Sequence, residues 1–264
     1  MIDLANVLEK VTELVLTVGA MQQENLDTAR LEVDTKSSSI DLVTEIDKKS
    51  EQMIVGFIQK QYPSHGILAE ESGRYPADSD YLWIVDPLDG TTNYAQGLPI
   101  FCVSIALQYR GETVLGVIYC PVVNQLFTAI RGRGAWLNGR KLQVSAKQNL
   151  IDSVLATGFP YDIADNPANN ITYFRRIIVK ARAVRRIGSA AYDLACVAAG
   201  KFDAYWELKT MPWDVAAGML LVEEAGGRIV HFREDRGISI IAGNEILCEK
   251  IRREIEAVDA GGGE

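Results

Sequence analysis

A layered architecture of mixed helices and strands, α+β or α/β, is what this sequence predicts. Three observations carry it. Apolar residues recur at helical spacing near the amino terminus, residues 100–144 read as strands separated by turn signals, and short strand-like and helix-like segments alternate from 154 to 258. No repeat of about 20–50 residues, low-complexity tract or linker-like stretch interrupts them. The chain of 264 residues has room for one large domain or two modest ones. A divide falls near 145–153, and nothing there reads as flexible. The expectation is therefore one domain over 1–264, with an N-terminal α+β half (about 1–145) packed tightly on a C-terminal α/β half (about 150–258).

Taken in order, residues 3–30 predict a long amphipathic helix, with Leu4, Val7, Leu8, Val11, Leu14, Val15 and Val18 on one face. Residues 32–43 are polar and β-leaning, a hairpin or loop. A second helix is expected over 44–61, burying Ile46, Met53, Ile54, Phe57 and Ile58, and Tyr62-Pro63 ends it. Residues 66–69 read as a short buried strand, and 81–85 as another that stops at Asp86-Pro87, because proline cannot donate to a ladder. Strands follow at 100–109, 113–119 and 125–130, and Asn138-Gly139 marks a hairpin turn. In the second half the pattern gives a strand (154–157), a loop rich in Asp, Asn and Pro (161–170), helices at 172–182 and 188–199 with Gly200 closing the latter, and a strand (202–206). A helix at 215–225 closed by Gly226-Gly227, strands at 228–231 and 238–242, and a last helix at 244–258 complete it.

Composition narrows the function. Hydrophobic residues make up 48% and charged residues 23%, which rules out a disordered chain, a collagen-like repeat or a coiled-coil rod. With 27 basic and 35 acidic residues the formal net charge is -8, so no nucleic-acid or anionic-membrane partner is expected; a bound divalent metal can still reverse the sign locally. No segment approaches the ~18 uninterrupted apolar residues of a membrane span. The start, MIDLANVLEKVTEL, is acidic early and amphipathic, unlike a signal peptide. Four cysteines (Cys102, Cys120, Cys196, Cys248) lie far apart without a C-x-x-C pair and read as buried thiols of a cytoplasmic protein. With two histidines, His65 and His231, a His-rich zinc site is excluded.

The chemistry concentrates in WIVDPLDGTTNYAQGLP, residues 83–99. An apolar strand delivers Asp86 to its end, Pro87 turns the chain, Asp89 follows, Gly90 lets the backbone bend, and Thr91, Thr92 and Asn93 resemble a helix start. Two carboxylates on such an elbow converge, the Leu88 carbonyl adds an oxygen, and hard cations such as Mg²⁺ favour oxygen ligands. The N–H groups of Gly90 and Thr91 suit a phosphate. D-x-x-D-G alone equally describes an Asx-type turn. Three further acidic pieces accompany it: Glu70-Glu71 after an apolar strand; Asp214, a natural N-cap after Pro212-Trp213; and Asp41, Glu45 and Asp47 around the start of the second helix. No G-x-S-x-G elbow or P-loop is present, and Gly132 and Gly134 miss the G-x-G-x-x-G pattern.

Together these pieces resemble the inositol monophosphatase family, within the lithium-sensitive, magnesium-dependent sugar phosphatases. The family's strand and D-P-L/I-D-G-T-x-N-F/Y signature stands at 83–94, and its W-D-x-A-A/G-x-x-L-x-V-x-E-A-G-G signature at 213–227. G-E-E-S appears as Ala69-Glu70-Glu71-Ser72, with Ala for the usual Gly, and D-x-V-T-x-x-D as residues 41–47. The resemblance runs from the first helix to about Ile251. It implies a layered α-β-α-β-α sandwich of the sugar phosphatase type and two or three Mg²⁺ ions held by Glu70, Asp86, the Leu88 carbonyl, Asp89 and Asp214. In it Glu70, Thr91 and Asp47 serve catalysis: Glu70 helps position a water, and Asp47 orients the Thr91 hydroxyl in a general-base relay. Substrate contacts are expected at Leu88, Asp89, Gly90, Thr91, Gly188, Ser189, Ala190, Glu207 and Asp214, with Lys36 and the serine run after it forming a loop over the third metal.

The implied activity is a phosphomonoesterase for inositol 1-phosphate or a similar polyol or sugar phosphate, in a lithium-sensitive homodimer. Residues 208–211 depart from the commonest eukaryotic pattern, which leaves fructose-1,6-bisphosphatase, histidinol-phosphatase and nucleotide 3′-phosphatase activities open. A regulatory binding role on the same scaffold is the alternative class, since some bacterial relatives combine phosphatase activity with roles in RNA synthesis.

Overall fold

The computed structural model describes residues 2–26, 33–36 and 42–261. Asp41 and residues 37–39 of the expected metal-covering loop lie outside the described residues, as does the end of the first helix projected to residue 30.

The N-terminal half opens with α1 (Leu4–Asn25), capped by Asp3, whose side chain accepts from the Ala5 amide. A two-stranded ribbon of β1 (Val33–Thr35) and β2 (Leu42–Thr44) leads into α2 (Glu45–Gln61). Thr44 and Asp47 form a reciprocal capping box at the start of α2, which is why the helix begins there. Then come β3 (Gly66–Ala69), β4 (Gly73–Tyr75), β5 (Tyr81–Asp89), the short α3 (Thr91–Ala95), β6 (Cys102–Tyr109), β7 (Glu112–Cys120), β8 (Gln125–Ile130), β9 (Ala135–Leu137) and β10 (Arg140–Lys141). They form an eight-stranded sheet in the order β10-β9-β8-β7-β6-β5-β3-β4. All its pairs are antiparallel except β3 with β5.

The second half supplies β11 (Val154–Thr157), α4 (Ile171–Ile178), β12 (Ala183–Arg185), α5 (Ala190–Ala198), β13 (Ala204–Thr210), α6 (Pro212–Glu224), β14 (Arg228–Arg233), β15 (Ile238–Gly243) and α7 (Glu245–Asp259). Its five-stranded sheet runs β12-β11-β13-β15-β14, with β11 parallel to both neighbours.

Five layers alternate. Helices α1 and α2 cover one face of the large sheet through Val11, Val15, Val18, Ile54 and Ile58. Helices α5 and α6 fill the space between the two sheets. Helices α4 and α7 close the outer face of the small sheet around Trp206, Ile241 and Leu247. The molecule is thus an α+β sandwich. Its middle layer explains why α6 is apolar all round: a helix between two sheets has no face for solvent. Close approach there is made by glycine. A Cβ at Gly218 would meet the Leu194 side chain at 2.6 Å, and one at Gly116 would meet the Ala217 carbonyl at 3.0 Å.

Several boundaries differ from the sequence expectation. Strand β5 does not stop at Asp86; it continues through Pro87 to Asp89, because a register shift between Asp86 and Asp89 excuses Pro87 from the ladder. Residues 183–185, which the sequence pattern assigns to no element, form the edge strand β12. Asp214 is not the N-cap of α6. Met211 is, and Asp214 sits three positions in with its carboxylate turned back to the Met211 amide, 2.7 Å away.

Candidate active site

The parallel pairing of β3 with β5 puts two acids side by side. Ala69 pairs with Val85, so Glu70, the first residue past the end of β3, lies beside Asp86 of β5, and the Glu70 amide donates to Val85 O at 3.2 Å. Asp86 is buried and accepts from the Leu88 amide at 3.0 Å, which closes the elbow. Gly90 follows at φ 101°, where a Cβ would strike the Ile100 carbonyl at 2.9 Å, so only glycine fits.

Asp89 joins the halves. Its Oδ2 accepts from Ser189 Oγ at 2.7 Å and from the Ala191 amide at 2.6 Å, at the N-terminus of α5. Ser189 is also the N-cap of α5. Asn93 makes a second join: its Nδ2 donates to Ile100 O at 2.8 Å and Ile187 O at 2.7 Å, holding the Gly188 turn against the site. The sequence reads Asn93 only as part of a helix start; its bracing role depends on a partner in the other half of the chain.

Thr91 and Asp47 meet as the resemblance implied. Thr91 Oγ1 donates to Asp47 Oδ1 at 2.7 Å and lies 3.2 Å from Leu88 O. Asp47 is fully buried, and its Oδ2 accepts from the Thr44 amide at 3.0 Å and from the Thr44 hydroxyl. Burial raises its pKa, against the pull of the Thr44 and Thr91 hydrogen bonds.

From the second half, α6 contributes Asp214 and β13 contributes Glu207, whose Oε2 accepts from Tyr205 Oη at 2.5 Å. Ala190, in the first turn of α5, is half-buried.

The electrostatics are those of crowded acids. Burial first, and then the neighbouring carboxylates Glu70, Asp89 and Asp214, push the Asp86 pKa well above its ordinary value. Asp214 is raised in the same way by burial, Asp89, Glu70 and Glu207. Asp89 rises to about 6, through burial opposed by its Ser189 and Ala191 hydrogen bonds. Burial raises the Glu70 pKa as well, against the pull of Lys36. Lys36 Nζ reaches Glu70 at 2.8 Å and Glu71 at 2.6 Å. Burial works against its charge, yet the pull of Glu70 and Glu71 outweighs it and holds the ammonium above its ordinary pKa.

This donor set fits a hard divalent cation. It is all oxygen, at least partly buried and crowded with acids, and the Lys36 ammonium that bridges Glu70 and Glu71 offsets only part of their charge. Among the described residues, no three acids yet converge at ligand distance. Of the residues expected at the site, the structure brings Asp47, Glu70, Asp86, Leu88, Asp89, Gly90, Thr91, Ser189, Glu207 and Asp214 to one end of the two sheets, with Gly188 and Ala190 on the same wall.

The sequence profile of the inositol monophosphatase family matches residues 3–259. The chain belongs to this family. Among similar proteins, the Nus factor SuhB of Pseudomonas aeruginosa is 46% identical over 213 residues, covering 77% of this chain and 79% of that protein. The inositol-1-monophosphatase of Mesorhizobium japonicum is 41% identical over 221 residues, covering 82% and 83%. The solved inositol monophosphatase of Anabaena (Nostoc) sp. PCC 7120 superposes with a TM-score of 0.85 at 41% identity, over 96% of each chain. More distant members of the family, 25% identical, have been solved with Mg²⁺ and phosphate (TM-score 0.83) and, for a staphylococcal inositol monophosphatase, after a LiCl soak (TM-score 0.84). Each covers 96% or 97% of this family member.

Proposed function

We propose that this chain is a Mg²⁺-dependent phosphomonoesterase that hydrolyses inositol 1-phosphate or a similar polyol phosphate. One observation carries the reading: the acids Glu70, Asp86, Asp89 and Asp214 crowd together beside a Thr91 hydroxyl fixed by Asp47. Glu70, Asp86, the Leu88 carbonyl, Asp89 and Asp214 would hold two or three Mg²⁺ ions. The chemistry Mg²⁺ would supply there is acidification of a water and neutralisation of the phosphate charge for in-line displacement.

The chain's own groups do the positioning. Thr91 spends its hydroxyl proton on Asp47, so its lone pairs are left to accept from the attacking water. Glu70 helps orient that water. The amides of Gly90 and Thr91 face the phosphate, and Gly188, Ser189, Ala190 and Glu207 line the leaving alcohol, with Glu207 accepting from its hydroxyls. Li⁺ inhibition, a homodimer and a cytoplasmic setting belong to the same reading. Solved relatives with Mg²⁺ and with LiCl support the first of these, and four buried free thiols support the last.

The test is phosphate release with Mg²⁺ from inositol 1-phosphate, fructose 1,6-bisphosphate, histidinol phosphate and 3′-phosphoadenosine 5′-phosphate. Turnover lost in EDTA and in Asp86→Asn is expected; activity undiminished in EDTA would defeat the metal assignment. Light scattering at the mass of a monomer would refute the dimer.

A second reading, a regulatory binding role, has specific support in the Nus factor SuhB relatives. Asp214→Asn separates the two: a phosphatase-dependent phenotype vanishes in it, and a scaffold-dependent one survives.

A further inference from the structure

We propose that Gln22, near the C-terminal end of α1, is a positioning residue for the metal site: its side-chain amide holds the Pro87–Leu88 peptide and, through it, the Asp86 carboxylate. The inference rests on the Mg²⁺ reading above.

Helix α1 faces the large sheet with a stripe of Val7, Val11, Leu14, Val15 and Val18, and the next place on that stripe is taken by Gln22. Gln22 is fully buried. One turn earlier stands Gly19, where a Cβ would meet the Tyr119 ring at 2.5 Å, so α1 lies directly on the sheet. Met21 and Leu26 pack into a cluster with Leu88, Tyr94 and Phe101, and Tyr94 Oη donates to the Gln22 backbone carbonyl at 2.7 Å. The end of α1 is therefore fixed against the elbow.

The elbow needs a donor at that point. The register shift between Asp86 and Asp89 leaves Pro87 and Leu88 without a paired residue on β6. Both residues are buried, so the Pro87 carbonyl and the Leu88 amide must find partners elsewhere. The Leu88 amide donates to Asp86 Oδ1 at 3.0 Å. The Pro87 carbonyl accepts from Gln22 Nε2 at 2.8 Å. One peptide plane is thus held at both ends, by α1 on its oxygen and by Asp86 on its N–H. A carbonyl only accepts, so the Gln22 amide can face it in one orientation. Nε2 also donates to Ser50 Oγ on α2 at 3.0 Å, while the buried Oε1 has no partner among the described residues. The residue uses its donors and leaves its acceptor idle, so donation is its contribution. Turning the peptide would release Asp86; with the peptide pinned, the carboxylate holds one orientation before a cation arrives. The Leu88 carbonyl, another of the proposed ligands, belongs to the same pinned residue. Groups that hold a ligand in place raise metal affinity.

The experiment is calorimetric titration of the full-length protein with Mg²⁺ alone. Gln22→Met keeps the length of the side chain and removes both donor hydrogens, and the dissociation constant for Mg²⁺ is expected to rise about tenfold. Ser50→Ala is the control. It removes the other partner of the Gln22 amide and leaves the elbow untouched, so Mg²⁺ affinity should not change even where the melting temperature falls. Unchanged affinity in Gln22→Met overturns the inference, because the elbow then holds itself. An equal or larger loss in Ser50→Ala also overturns it, because Gln22 then acts only through the packing of α1 on α2. If Gln22→Met does not fold, Gln22→Asn, one methylene too short to reach Pro87, decides on the same constant. A wild type that binds no Mg²⁺ overturns this inference and the metal reading together; a wild type that binds it no more tightly than Gln22→Met overturns this inference alone.

Discussion

Asp47 serves two structures with one carboxylate. Its Oδ2 caps α2 and its Oδ1 holds the Thr91 hydroxyl. The two duties come apart by mutation. Thr91→Val removes the hydroxyl at nearly constant shape, and kcat should fall by about 10²-fold or more with little change in the urea midpoint. Asp47→Ala should lose the same activity and also about 1 kcal/mol of stability, because the cap goes too. Equal destabilisation by both would sink the separation. Glu207 makes a prediction about pH. Burial, opposed by Tyr205, pushes its pKa to about 7 from an ordinary 4.5. The folded protein therefore binds more protons than the unfolded chain between those values, and stability falls as pH rises from 4.5 to 7. In metal-free protein, Glu207→Gln should lose less melting temperature than the wild type across that window; parallel curves would refute it.

At the scale of elements, the site depends on where strands and helices end. Ser189 caps α5 and holds Asp89 with one hydroxyl. Ser189→Ala should therefore weaken the helix by about 1 kcal/mol and raise the Mg²⁺ concentration for half-maximal activity, since Asp89 is no longer fixed. Unchanged Mg²⁺ dependence would show that the Ala191 amide suffices. This scale also explains what could be read in advance. Asp86, Leu88, Asp89, Gly90 and Thr91 are neighbours in sequence, so their chemistry was legible in one motif. That Glu70 emerges beside Asp86 depends on the register of β3 against β5, which no local pattern encodes. The role of Asn93 depends on Ile187, 94 residues away. The edge strand β12 was missed because three residues carry too little periodicity, and β5 was cut short because the bulge that accommodates Pro87 leaves no mark in the sequence.

On the scale of the whole molecule, the acids come from both halves: Glu70, Asp86 and Asp89 from the large-sheet side, Asp214 and Glu207 from the small-sheet side. We propose that the halves unfold as one domain, because α5 and α6 belong to a core shared by both sheets. Calorimetry should then give a single transition. Mg²⁺ at about 100 times its dissociation constant should add roughly 2.7 kcal/mol, moving that transition as one peak; two peaks, or a shift in only part of the signal, would count against it. The tight contacts at Gly116 and Gly218 have a consequence for genetics. A methyl group at Gly116 pushes the large sheet from α6, one at Gly218 pushes α5 from α6, and Asp214 rides on α6. Inherited loss of activity can therefore arise in a chain whose every acidic residue is intact. Comparing signatures across a lineage would score such an allele as healthy, and only an assay would expose it.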